Sequence, residues 1–104
     1  MAIYSTLFYS GVQPQGSHAT LYTVPAGFVV ILRDVDALST TTANAQILLT
    51  EAAAANAFAS LNVATVLDSA QWRGRQVFPA GYAIGINTVV GAWVVRASGY
   101  LLTV

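Results

Sequence analysis

Apolar and polar positions alternate along much of this chain with a period of two, the repeat of a strand whose side chains point in turn to a core and to solvent. Valine, isoleucine, leucine, threonine and tyrosine recur in short runs separated by turn residues. Helical periodicity is sustained almost nowhere. The pattern predicts strands over residues 3–9, 19–24, 28–37, 45–50, 61–67, 72–78, 82–88, 92–97 and 100–104.

The breaks between these runs have their own chemistry. Pro25-Ala26-Gly27 and Pro79-Ala80-Gly81 each combine a fixed φ with a residue that tolerates positive φ, which predicts two tight turns. Residues 13–17, with Pro14 and Gly16, and the threonine-rich stretch 39–44 read as loops. Ser98-Gly99 is expected to turn or bulge the last strand pair. The alanine-rich segment EAAAANAFAS at 51–60 reads either as one short helix capped by Thr50 or as a structureless loop.

An internal echo adds to this picture. Val24-Pro25-Ala26-Gly27-Phe28 returns in type as Phe78-Pro79-Ala80-Gly81-Tyr82, and an apolar strand follows each copy. The simplest reading is two related halves, each feeding a strand into one of two packed sheets. The fold expected is all-β: a single β-sandwich domain over residues 1–104, with 1–10 as an N-terminal arm or edge strand.

Composition changes the functional picture more than the fold. Hydrophobic residues make up 56% of the 104 positions and charged residues only 8%. So few charges cannot cover the surface of a small domain, and an apolar patch is expected to stay exposed unless a partner buries it. Four basic residues balance four acidic ones. That balance disfavours nucleic acid as a partner, since phosphate binding draws on a basic excess, and it removes the self-repulsion that keeps subunits apart. Cysteine is absent, which excludes disulfides and thiolate metal sites. The apolar runs 26–32 and 89–95 fall short of a membrane-spanning helix, and the N-terminus lacks the basic leader and long apolar block of a secretory signal.

The segments VPAGFVVILRDVDA at 24–37, WRGRQVFPAGYAIGI at 72–86 and VRASGYLL at 95–102 resemble small virion structural proteins of tailed bacteriophages. The resemblance implies a jelly-roll-like sandwich of two antiparallel sheets whose copies decorate a capsid or sit in neck and tail assemblies. The same turns are similar to those of cupin-type sandwiches, which would carry a cluster of metal-binding histidines and a carboxylate. This chain has one histidine, His18.

Candidate chemistry is correspondingly thin. Asp34 and Asp36 share a strand face, but two carboxylates are too few for a calcium site. Arg73 and Arg75 share a face in the same way, with Trp72 beside them. The matched spacing suggests a charge ladder of Asp34, Asp36, Arg73 and Arg75, across strands or between subunits. No Gly-x-Ser-x-Gly, Walker or Rossmann signature accompanies the serines, so neither catalysis nor a cofactor is expected. Phe8, Tyr9, Trp72, Arg73, Arg75 and Trp93 are the candidate interface residues. The expected partners are further copies of the chain, a trimer being favoured, and the major capsid or other virion proteins, with no nucleic acid and no membrane. The virion, assembled in the host cytoplasm, is the expected location. A glycan-binding sandwich using Trp72 or Trp93 is the alternative. Deleting residues 1–10 is expected to weaken assembly more than it damages the fold.

Overall fold

The computed structural model describes residues 3–14, 16, 18–41, 43–51 and 56–103. They form eight strands and, among the described residues, no helix: β1 (Ile3–Gln13), β2 (His18–Thr23), β3 (Phe28–Ser39), β4 (Ala45–Glu51), β5 (Ala57–Val63), β6 (Ser69–Phe78), β7 (Ala83–Val90) and β8 (Trp93–Thr103). Two four-stranded sheets run in the orders β1-β8-β3-β6 and β2-β7-β4-β5, every pairing antiparallel. The chain passes from one sheet to the other at each connection except β4 to β5, which is a hairpin. This is the jelly-roll form of the β-sandwich.

Alternation decides which residues form the core. Val30, Leu32, Val35 and Ala37 of β3 face inward with Trp93, Val95 and Ala97 of β8, and they meet Ile47 and Leu49 of β4 and Ile84 and Ile86 of β7 from the opposite sheet. Phe78 and Trp93 are its largest fully buried side chains. Fully burying one such side chain contributes about 1.5–3 kcal/mol, so a two-layer core of this size stands without staples.

The two Pro-Ala-Gly turns lie side by side. Gly27 and Gly81 take φ of 81° and 87°, and Phe28 N–H and Tyr82 N–H donate back to the Pro25 and Pro79 carbonyls at 3.3 and 3.1 Å. That combination is a type II turn, which asks for glycine at its third position. The copies also bond to each other, Val24 N–H donating to the Tyr82 carbonyl at 2.9 Å and Gly81 N–H to the Val24 carbonyl at 3.0 Å. One turn delivers β3 to the first sheet and the other delivers β7 to the second.

Two expectations are corrected, and a third is decided. Residues 92–97 and 100–104 are not separate strands: β8 runs through Ser98-Gly99 unbroken, and the irregularities fall on its neighbours, at Phe8 of β1 and Arg33 of β3. A Cβ on Gly99 would run into the Ile31 carbonyl oxygen and lie 3.0 Å from Arg33 N. Gly99 therefore makes room for the bulging backbone of β3; it does not turn its own strand. The strand placed at 61–67 lies at Ala57–Val63, where pairing with β4 overrides the helix propensity of the alanine-rich stretch. Residues 52–55 of the proposed helix lie outside the described residues, while Glu51 and residues 57–60 are strand. The N-terminal segment is an edge strand of its own sheet, and Phe8 packs in the core with its ring 4.9 Å from that of Tyr22. The edge-strand alternative is thus the one the structure takes, and the segment contributes to the core as well as to the sheet margin.

Candidate assembly surface

The ladder registers sort the outer face of the sheet β1-β8-β3-β6 into rows. At the end of the sandwich where β3 begins, Ile3, Leu102 and Val29 stand in one row, and Ser5, Tyr100, Ile31 and Val77 in the next. Ile3 is 63% exposed, Val77 48% and Tyr100 39%. Leu7, also exposed, opens the third row, which continues through Ser98 and Asp34 to Arg73. Together these side chains form an apolar area that ends abruptly at charge.

Charge occupies the middle of the same face. Arg73 Nε lies 3.2 Å from Asp34 Oδ1, and Arg73 Nη1 donates to Asp36 Oδ1 at 3.1 Å. One guanidinium thus bridges two carboxylates that share a strand face. Arg75 does not join them. In the β3–β6 ladder the pairing jumps from Leu32 with Gln76 to Asp34 with Arg73, so Arg33 stands against Gly74 and Arg75. Both arginines are exposed, and among the described residues neither has an ion-pair partner. All four arginines of the chain lie on strands of this sheet.

The aromatic candidates sit elsewhere. Trp93 has no exposed surface, and its Nε1–H donates to the Val90 carbonyl at 3.1 Å. Placed in the core, it is removed from the set of interface residues, and Phe8 follows it for the same reason. Trp72 faces inward, half-buried, edge-on to Phe58 at 5.6 Å between ring centroids. Its ring also covers Gly74, where an added Cβ would lie 2.9 Å from Trp72 Cζ2. Tyr9 covers Gly11 on the opposite edge in the same manner, with Gln13 Nε2–H donating to its hydroxyl at 2.6 Å. These aromatics shield glycines of the two edge strands, a known way of steadying a sheet margin. The exposed apolar residues Ile3, Tyr100 and Val77 were not singled out by the sequence reading. Their signal was there, in apolar residues at the phase of the alternation opposite to the core.

The edges themselves are poor templates for further pairing. Each edge strand departs from regular register: β1 at Phe8, β2 at Leu21, β5 at Phe58 and β6 at Gly74-Arg75. Such bulges twist a margin away from open-ended strand addition. Among the described residues, no three metal-ligating side chains come together. His18 hydrogen-bonds Thr50 Oγ1 at 3.3 Å on the outer face of the other sheet.

No family model matches the chain, and no curated protein matches it. Solved structures do, and what they share with this chain is the fold, a β-sandwich. A subunit of the disulfide-linked pili called Bacillus endospore appendages is similar over 98% of this chain and 88% of its own, with a TM-score of 0.58 at 12% identity. The NLP core of Drosophila, described for its pentamer formation and histone binding, is similar over 99% of this chain and 100% of its own, with a TM-score of 0.53 at 9% identity. A chain of the T=1 particles derived from infectious bursal virus matches 96% of this chain, at 0.51 and 14%. The present chain spans 31% of that viral protein's length.

Proposed function

We propose that this chain is a non-enzymatic structural subunit that works by associating with copies of itself and docking on a larger particle. The observation that carries the reading is the exposed apolar area around Ile3, Tyr100 and Val77, set on a sheet whose edges are bulged. Apolar surface on an outer face is stabilised by burial, and with the edges blunted a neighbour is met face-on. The likeness to subunits of pili, T=1 particles and a pentamer supports the same direction. The sequence resemblance suggests the setting: a bacteriophage virion, with capsid decoration ahead of a neck or tail role and a closed ring, a trimer first, as the assembled form. Virion localisation and contact with the major capsid protein belong to this proposal.

The test is sedimentation velocity of the purified protein over a range of micromolar concentrations, followed by locating the chain in a reconstructed particle. Association that deepens with concentration is the expected result, and a protein that stays monomeric throughout would overturn the reading. Glycan binding loses its proposed platform, because Trp93 is buried and Trp72 faces inward.

A further inference from the structure

The loop between β5 and β6 has a feature that the fold alone does not require. Leu67 has a φ of 64° and is 67% exposed. A bulky residue in the left-handed region costs free energy, and such strain persists only where surrounding bonds enforce it. Here they do: Leu67 N–H donates to the Ser39 carbonyl at 2.8 Å, and Ser39 N–H donates to the Asp68 carbonyl at 3.1 Å. Two backbone bonds to a fully buried serine hold the tip against the body of the sandwich. The result is a fixed apolar projection, Val66 and Leu67 exposed together, with the Asp68 carboxylate beside them.

The surface that complements this tip lies on the same molecule at the far end of β6. Ser69 follows the tip directly, and eight positions later Val77 belongs to the apolar rows, about 26 Å away along an extended strand. There the exposed apolar side chains of Ile3, Val77 and Tyr100 adjoin Arg33 and Arg75, two cations without an ion-pair partner among the described residues. An apolar knob flanked by an acid matches an apolar patch flanked by two arginines. A single copy cannot bring the two ends together, because the paired strand between them holds them apart.

We infer that copies join head to tail, the Val66-Leu67-Asp68 tip of one seating on the row of Val77 and Tyr100 of the next, with Asp68 against Arg33 and Arg75. This rests on the self-association proposed above and gives it a geometry. Two different patches meet, so the contact is heterologous and closes into a ring or continues as a filament. Seating Leu67 buries an exposed apolar group, and the charge pairing sets the register.

Two variants isolate the halves of the contact. Leu67→Gly removes the knob and suits the left-handed backbone, while Val77→Asp spoils the patch at an exposed position. Each alone should weaken association at least about tenfold in sedimentation velocity, with a melting temperature no lower than the wild type's for Leu67→Gly. Mixed, they should form one-to-one dimers that grow no further, since one partner supplies the only intact patch and the other the only intact tip. Exchanging the charges, Asp68→Arg with Arg33→Asp and Arg75→Asp, should restore association that Asp68→Arg alone has lost. If the wild type associates and both variants associate equally well, the tip and patch are not the contact, although self-association stands. A wild type that stays monomeric overturns both. Should Val77→Asp melt early, Tyr100→Ser replaces it in the mixing experiment.

Discussion

The outer faces of the two sheets are built from different material. On β1-β8-β3-β6, exposed apolar rows run into a field of arginines and aspartates. On β2-β7-β4-β5, Val89 is exposed but the rest of the face is dominated by neutral polar pairs: Gln46 and Asn62 amides both donate to Ser60 Oγ at 3.2 Å, and His18 reaches Thr50 across Gly85. The one charged residue on that sheet's strands, Glu51, accepts from Gln76 Nε2 at 3.1 Å across the sandwich. A face whose polar groups satisfy one another is finished in the monomer. The other face combines exposed apolar surface with Arg33 and Arg75, which have no ion-pair partner among the described residues, so the association proposed above falls to the first sheet.

The largest expected effect comes from removing the first sheet's edge. Without residues 1–10 the Phe8 side chain is gone from the core and β8 loses most of its outer partner. Truncating one buried phenylalanine costs about 3–5 kcal/mol, and a domain of this size has about 5–15 kcal/mol in all. Urea titration should show the deleted protein unfolded or close to it. A near-wild-type midpoint would show that the strand is dispensable and that it is free to serve as an arm.

A middle-sized effect distinguishes two glycines on central strands, one from each sheet. An alanine at Gly99 meets the backbone of β3, which cannot move without breaking its ladder, and should cost about 3 kcal/mol or more. An alanine at Gly85 meets Thr50 Oγ1 and then His18 Nε2 at 3.2 Å, side chains that can turn aside, so about 1 kcal/mol is expected. Thermal melts of Gly99→Ala and Gly85→Ala made side by side should therefore differ clearly. Equal losses would mean that the β3 bulge is softer than its hydrogen-bonded setting implies.

These glycines also mark where sequence reasoning stopped. Period-two alternation was enough for the sandwich, most strand positions and both Pro-Ala-Gly turns, because each is fixed by neighbours in the chain. Ser98-Gly99 read as a turn or a bulge in its own strand pair; the bulge that explains Gly99 is at Arg33 on β3, far off in sequence. Residues 57–60 read as helix or loop for a similar reason, their strand state coming from β4. Trp93 illustrates the limit for the site. Large aromatics invite a functional reading, yet in a small domain the same residue is the best filler of the core. The placement of Arg73 between Asp34 and Asp36 depends on a register that spacing alone does not set.

The smallest expected effect tests the charged strip itself. Arg73 and both its carboxylates are partly open to solvent, and exposed ion pairs contribute about 0.2–1 kcal/mol, less as salt rises. Arg73→Ala should therefore lower stability by no more than about 1 kcal/mol, and salt should erase the difference. Its effect on association should be larger than its effect on the fold. Asp34, released from Arg73, would lie beside Arg33 and compete with an incoming carboxylate for it. Sedimentation of Arg73→Ala at low and high salt separates the two roles: weaker association at low salt with an unchanged melt assigns the strip to the interface. Loss of stability that persists in high salt would instead make Arg73 a structural clamp between β3 and β6, and the two sheet faces would then differ in composition without differing in purpose.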